Sequence, residues 1–141
     1  MAELPEPRPG LVISYCYLWR DQARLGGDEG VKDRPCVVVL AVQQRQGQRI
    51  VTVAPITHAH PRLSGDAVEL PKATKDRLGL DDARSWIVVT EVNQFVWPGP
   101  DLRPAAPGRW THGFIPGELL RVVRARMAEH RELSLVRRSN R

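Results

Sequence analysis

The sequence has little cysteine and no apolar run long enough to cross a bilayer. Its two cysteines, Cys16 and Cys36, lie in apolar strand-like runs that predict small buried side chains. Two cysteines also fall short of the ligands that a structural metal needs. The longest apolar run covers only residues 36–42, and the N-terminus lacks the basic start and apolar stretch of a secretory signal. We therefore expect a cytoplasmic protein with no metal, no cofactor and no membrane contact.

Lysine is also scarce, and the positive charge is concentrated near the C-terminus. The cations are 18 arginines and three lysines, and the net charge is +5. Residues 1–120 balance to zero, whereas residues 121–141 hold seven arginines against Glu129 and Glu132. Arginine favours forked contacts to phosphate or carboxylate. The C-terminal run is typical either of polyanion contact or of a solvated helix face, so charge alone leaves the partner open.

Apolar periodicity predicts a mainly β protein of the α+β class. Alternation of period two predicts a first strand over residues 11–19, followed by a mobile loop over residues 20–33. Pro71 predicts the start of a helix that Gly79 ends, and Pro116 predicts the start of a final helix. Further strands are predicted over residues 36–42, 50–56, 67–70, 86–97 and 110–114. Short strands with one C-terminal helix favour a small SH3-like barrel with the helix packed on it.

The predicted domain organisation has three parts. Residues 1–9 hold three prolines and are expected to be a disordered lead-in. Residues 10–131 are expected to form the single barrel domain. Residues 132–141 are expected to form a basic tail that is disordered in isolation.

The informative feature is a predicted hairpin with polar residues at its open end. Residues 36–42 and 50–56 read as antiparallel strands joined by a polar turn. If the turn is centred between Arg45 and Gln46, Arg34 and Thr57 lie nearly opposite each other. An arginine and a hydroxyl on rigid strands can grip and polarise a phosphate, which makes nucleic acid the first candidate ligand. The alternatives are that Arg34 pairs with Asp33 or Asp28 and that Thr57 only stabilises a turn.

From about residue 10 to 128 the sequence resembles the PemK/MazF/Kid group of toxin–antitoxin ribonucleases. The likeness rests on the Gly-Leu-Val-Ile-Ser-Tyr that begins at Gly10, on Asp-Arg-Pro before an apolar run, on Pro55-Ile-Thr57, and on residues 86–97 followed by an amphipathic helix. The resemblance implies a barrel shared with the gyrase poison CcdB. It also implies an endoribonuclease that cleaves single-stranded RNA without a metal, through attack by the ribose 2′-hydroxyl.

The resemblance assigns roles to the matched residues but leaves the general base open. Arg34 would stabilise the charged phosphorane and protonate the leaving oxygen, and Thr57 would orient the scissile phosphate. Some relatives use an aspartate as base, and the nearest positions in this chain hold Thr90 and Glu91, of which Glu91 is the possible substitute. His58 and His60, in the loop after Thr57, are the alternatives.

Four residues are expected to contact the substrate. Trp19 is a candidate stacking platform for an unpaired base, although Tyr15 and Tyr17 on the same strand face argue for a core position. The other three substrate-binding candidates lie beside the predicted catalytic residues and are Lys32, Pro35 and His60.

The resemblance also implies the partners and the biological setting. We expect a homodimeric growth inhibitor, as in plasmid-maintenance systems, that is neutralised by an antitoxin with an acidic, disordered C-terminal segment. Operator DNA is a further possible ligand of the complex with antitoxin. Two rivals remain at this point: a barrel that binds a protein target as CcdB does, and a retired toxin that only binds antitoxin or operator DNA.

Overall fold

A long antiparallel hairpin forms the centre of the fold. In the computed structural model, which describes residues 4–26, 32–130 and 132–139, the hairpin consists of β2 (Arg34–Gln43) and β3 (Arg49–Thr57). β1 (Leu11–Tyr15) pairs with β2 on one side, and β6 (Glu91–Val96) pairs with β3 on the other. This arrangement confirms the predicted hairpin.

The other strands extend this sheet at both ends. β4 and β5 continue it beyond the end of β3, β7 and β8 pair with β1, and β9 pairs with β6. Their bounds are β4 (Ala67–Glu69), β5 (Trp86–Val88), β7 (Leu102–Arg103), β8 (Thr111–Phe114) and β9 (Ser134–Arg137). With 37% of residues in strands and 22% in helices, the protein is the mainly β barrel with a C-terminal helix that the sequence predicts.

Two helices cover the sheet, and both begin directly after the prolines that predict their starts. α2 (Lys72–Leu78) follows Pro71, and it ends at Gly79, whose φ of 71° is the left-handed conformation that glycine adopts most easily. α3 (Gly117–Glu129) follows Pro116 and buries Val123 and Met127. A one-turn 3₁₀ helix (Ser64–Asp66) precedes β4.

Apolar side chains form two clusters on opposite faces of the strands. The cluster inside the barrel contains the side chains that alternate along β1, as predicted, namely Leu11, Ile13, Tyr15 and Tyr17. The second cluster packs the opposite face of β1 and β2 against α2 and α3. Burial of β2 on both faces explains why residues 36–39 are continuously apolar, whereas Leu40 and Val42 at the end of the run are about half-exposed. Cys16 and Cys36 are buried, as predicted.

Three predicted elements differ from the structure. The strand expected over residues 11–19 ends at Tyr15. The strand expected over residues 86–97 is divided into β5 and β6, because the chain leaves the edge of β3 and returns to pair with it further along. Part of the loop expected over residues 20–33 forms the short helix α1 (Arg20–Arg24). Residues 27–31 of that loop lie outside the described residues.

Both ends of the chain were predicted to be disordered. In the residues that the structure describes, this prediction was wrong, because both ends make ordered contacts. Ser134–Arg137 is a strand parallel to β6, and the side chain of Arg138 is buried. At the other end, Leu4 packs against the barrel interior and Glu6 pairs with Arg49. These contacts depend on side chains distant in sequence, which composition does not reveal. Within the described ranges, none of the helices has the length and apolar content to span a bilayer.

Candidate active site

A cleft of about 580 Å³ opens where β2 begins and β3 ends. This volume is typical of sites that bind a small ligand or part of a larger one. The cleft brings together six of the eight site residues predicted from the sequence. Its lining residues are Trp19, Lys32, Asp33, Arg34, Pro35, Ile56, Thr57, His58, Ala59, Leu80, Asp81 and Ser85.

A bulge in the hairpin determines which residues meet at the cleft. The turn is centred on Gln46 rather than between Arg45 and Gln46, because Gln43 pairs with Arg49. A register shift between Val38 and Leu40 then restores the predicted pairing, so that Cys36 lies opposite Pro55. Continued outward, this register brings Arg34 to Thr57, and both side chains line the cleft.

The bulge is held from outside the sheet by the last helix. The carbonyl oxygen of Val39 accepts hydrogen bonds from Nε and Nη2 of Arg124, at 3.1 and 2.8 Å. A bulge leaves one residue out of the ladder, so this carbonyl needs another donor. One arginine of the basic C-terminal region therefore stabilises the strand that carries Arg34.

Arg34 has a buried hydrogen-bond donor that none of the described residues accepts. Its Nε is buried, and no atom of the described residues accepts a hydrogen bond from it. Its guanidinium carbon lies 4.9 Å from the centroid of the Trp19 ring, a cation–π distance. The expected alternative of a pair with Asp33 is not what the structure shows, because that carboxylate lies 3.7 Å from Arg103. Asp28 lies outside the described residues. A buried donor without an acceptor points to an anionic ligand.

The hydroxyl of Thr57 stabilises a turn and can still donate a hydrogen bond to a ligand. Its Oγ1 accepts a hydrogen bond from the backbone N–H of Ala59 at 3.1 Å. This contact is the turn role that the sequence offered as an alternative. A hydroxyl that accepts one hydrogen bond still has its own hydrogen to donate. The hydroxyl is therefore oriented by the backbone and can donate into the cleft.

His58 is held at both ring nitrogens. Its Nδ1 lies 2.9 Å from the carbonyl oxygen of Arg84, and its Nε2 lies 2.9 Å from Oδ2 of Asp81. Both of these atoms are acceptors, so the two contacts are hydrogen bonds together only when both ring nitrogens carry a hydrogen. The ring is about half-exposed, and it lines the cleft beside Thr57.

The comparison with protein families finds a match whose range spans this cleft. The model of the PemK-like, MazF-like toxin of type II toxin–antitoxin systems matches residues 13–95, which is more than half of the chain. The chain belongs to this family. The matched range includes β2, β3 and every residue that lines the cleft. The comparison with curated proteins finds no match.

Glu91 is not among the cleft-lining residues of this PemK/MazF-like toxin, in contrast to its predicted role as a general base. It is 8% exposed, and its Oε1 accepts hydrogen bonds from the hydroxyl of Tyr17 at 3.2 Å and from the backbone N–H of Arg20 at 2.9 Å. Burial, followed by the charge of Glu91, raises the pKa of Tyr17 far above its usual value, so the phenol remains a donor. Glu91 thus links β6 to the segment that follows β1.

A substitution of Glu91 tests whether it acts as a base in the RNA cleavage that the sequence resemblance implies. Glu91→Gln retains the Oε1 acceptor but cannot take up a proton, so we expect the rate of RNA cleavage to stay within about twofold of the wild-type rate. The measurement is the single-turnover cleavage rate. A loss of about a hundredfold or more would instead restore Glu91 as the general base.

His60 also lies outside the cleft. Its ring centroid is 4.9 Å from that of Trp86, and its Nδ1 is 3.1 Å from the carbonyl oxygen of Pro61. The cleft is lined by the two residues after Thr57, His58 and Ala59, but not by His60. The predicted role of His60, as base or as substrate contact, therefore lacks support from its position.

Sequence reasoning did not identify the part of the cleft that follows α2. Asp81 and Ser85 line it, and behind them the side chain of Lys75 is only 5% exposed. One signal was present, because Lys75 lies three residues before Leu78 on the buried side of α2. A lysine on an apolar helix face needs a partner. Across the described ranges, no cluster of three or more His, Cys, Asp or Glu side chains is placed to hold a metal ion.

Proposed function

We propose that this PemK/MazF-like toxin is an endoribonuclease that cleaves single-stranded RNA in the cleft between β2 and β3. The observation that carries the proposal is the buried Nε of Arg34, which has no acceptor among the described residues, beside the oriented hydroxyl of Thr57. Both groups are hydrogen-bond donors on strand ends, where their positions are fixed before a ligand arrives. Preorganised donors of this kind stabilise charge that develops in a transition state.

The proposed reaction is attack of a ribose 2′-hydroxyl on the neighbouring phosphorus. The bond from phosphorus to the 5′-oxygen breaks, and the products carry a 2′,3′-cyclic phosphate and a 5′-hydroxyl. Negative charge grows on the phosphate oxygens during this step, where Arg34 and Thr57 would donate hydrogen bonds. His58 would exchange a proton with the reacting oxygens, and Lys32 and Pro35 would contact the RNA beside Arg34.

Trp19 has a different role in this proposal from the one its sequence position suggested. One face of its ring lies against the guanidinium of Arg34, and the ring forms a T-shaped pair with that of Tyr17, with centroids 5.0 Å apart. A ring used in this way holds the arginine in place. We therefore propose that Trp19 contacts substrate as part of the Arg34 site rather than as a free stacking platform.

The family also implies the biological role. The protein is a toxin of a type II toxin–antitoxin family, so its implied partner is an antitoxin. We propose that it acts in the cytoplasm as a homodimer, inhibits growth by cutting mRNA, and is neutralised by an acidic segment that competes with RNA for Lys32 and Arg34. We also propose that the toxin, together with its antitoxin, binds operator DNA and represses transcription.

The test is cleavage of mixed-sequence single-stranded RNA by the purified protein in EDTA. We expect internal cleavage at a limited set of sites. Thr57→Val should lower the rate by about ten- to a hundredfold, the value of one hydrogen bond to a charged group, whereas Thr111→Val in β8 should not lower it. Salt-dependent RNA binding without turnover would identify a retired toxin instead. Toxicity that survives loss of Arg34 but not of the C-terminus would identify a CcdB-like protein.

A further inference from the structure

A buried lysine lies directly behind the cleft. Lys75 on α2 has a side chain that is 5% exposed, and its Nζ lies 3.1 Å from Oδ1 of Asp81. The same nitrogen donates to Oγ of Ser85 at 2.7 Å and to the carbonyl oxygen of Ala83. An ammonium group has three hydrogens, so these acceptors use all of them. Lys75 is therefore fixed in one position.

Asp81 connects this lysine to the cleft. Its Oδ1 accepts hydrogen bonds from Lys75 and from the backbone N–H of Ala83, and its Oδ2 faces Nε2 of His58. Burial alone would raise the pKa of Asp81, but the hydrogen bond from Lys75 and the charges of His58 and Lys75 lower it overall. Asp81 is about as exposed as His58, so its contacts with the buried lysine and with the backbone N–H of Ala83 anchor it.

These contacts link the buried Lys75, through Asp81, to the half-exposed imidazole of His58. A histidine with this exposure ordinarily changes rotamer freely. Here Asp81 holds Nε2, while the carbonyl of Arg84 and Oγ of Ser85, at 2.9 and 3.2 Å, hold Nδ1. Carboxylates that orient histidines in this way determine which ring nitrogen is presented to a ligand.

We propose that Asp81 and Lys75 are positioning residues, which hold the imidazolium of His58 beside Thr57 as the proton donor to the leaving 5′-oxygen. The inference rests on the proposed RNA cleavage. The 2′-oxygen bonds to phosphorus and gives its proton to water, and the bond between phosphorus and the 5′-oxygen breaks. The leaving 5′-oxygen replaces the carbonyl of Arg84 as the acceptor of the Nδ1 hydrogen and takes that proton. Asp81 keeps its contact with Nε2, and the ring regains a proton from water.

The experiment compares two RNA oligonucleotides that differ in one atom. One has the natural 5′-oxygen at the cleavage site and the other has a bridging 5′-sulfur, which leaves as a thiolate without a proton donor. On the natural RNA, Asp81→Asn and Lys75→Met should lower kcat by about ten- to a hundredfold with little change in KM. His58→Ala should lower kcat by about a hundredfold or more.

On the sulfur-bridged RNA, all three variants should recover to within about threefold of wild type, because the step that needs the proton donor is bypassed. Asp82→Asn, a neighbouring exposed carboxylate outside the cleft lining, is the matched control and should match wild type on both substrates. Asp81→Asn removes one charge from an exposed position, so it tests the inference even if Lys75→Met does not fold.

The two proposals fail in different ways. Equal losses on the natural and the sulfur-bridged RNA would overturn the positioning of a proton donor and leave RNA cleavage intact. Wild-type rates for Asp81→Asn and Lys75→Met on both substrates would do the same. A wild-type protein that cleaves neither RNA would overturn the proposed function, and this inference with it.

Discussion

Replacing Arg34 with methionine is expected to lower kcat for RNA cleavage by about a hundred- to a thousandfold, the usual loss when one preorganised donor to a transition-state oxyanion is removed. The guanidinium stands at the start of β2, and its buried Nε has no acceptor among the described residues. A phosphate that develops charge in the cleft would supply that acceptor. The measurement is single-turnover cleavage of a defined RNA with enzyme in excess.

The same substitution should change stability only slightly. Removing a buried donor that lacks a partner does not break a hydrogen bond, and losing the cation–π contact with Trp19 costs about 1 kcal/mol, so Arg34→Met should lower the free energy of unfolding by no more than about that amount. Arg34→Lys should remain strongly impaired, because an ammonium group lacks the Nε–H donor and the planar fork. Arg45→Met, in the turn at the far end of the hairpin, is the control for charge. Equal rates for Arg34→Met and Arg45→Met would contradict the proposed role of Arg34.

Replacing Arg138 with methionine is expected to lower the free energy of unfolding by about 3–5 kcal/mol, the usual effect of breaking a buried ion pair from one side. Nη2 of Arg138 lies 2.9 Å from Oδ2 of Asp101, and the two side chains are 1% and 2% exposed. Nη1 also donates to the carbonyl of Cys16 at 2.7 Å and to Oδ1 of Asn93 at 3.1 Å. The substitution would leave the Asp101 charge buried without this partner.

Urea denaturation measures this effect, and the adjacent residue provides a matched control. Arg137 is exposed at the end of β9, so Arg137→Met removes the same charge from the surface and should change the free energy of unfolding by less than about 1 kcal/mol. If the two variants unfold at the same urea concentration, the C-terminal strand is not an integral part of the barrel. Truncation before Ser134 should be at least as destabilising as Arg138→Met, because it removes Arg138 together with β9.

The parts of the fold that local sequence determines could be predicted, and the parts that depend on distant contacts could not. Pro71, Gly79 and Pro116 mark helix ends through backbone geometry that belongs to each residue alone. The strand β9 has four residues, too few for a clear alternation, and it exists because β6 offers a free edge and Asp101 a buried charge. The helix α1 has five residues, which is too short to show helical periodicity.

The residues of the candidate site also divide into those that local sequence predicts and those that depend on distant contacts. Arg34 and Thr57 were predicted because strand pairing relates them by residue number, and the bulge at Val39 restored that relation after the turn had shifted it. The bulge itself lies inside a continuous apolar run that gives no sign of it. Asp81 could not be placed in the cleft, because its position depends on how the segment after α2 packs. Glu91 lies outside the cleft lining, because it contacts Tyr17 and the backbone of Arg20, and its sequence position does not reveal those contacts.

The chemical identity of the cleaved RNA ends distinguishes attack by the ribose hydroxyl from other routes of cleavage. We expect the protein, in EDTA, to cut single-stranded RNA to fragments with a 2′,3′-cyclic phosphate on one side and a 5′-hydroxyl on the other. We also expect a 2′-O-methyl group at the cleaved nucleotide to block cleavage there. Mass spectrometry of the fragments reads both results. Fragments with a 5′-phosphate, or cleavage of the 2′-O-methylated site, would contradict attack by the ribose hydroxyl in the cleft of Arg34 and Thr57.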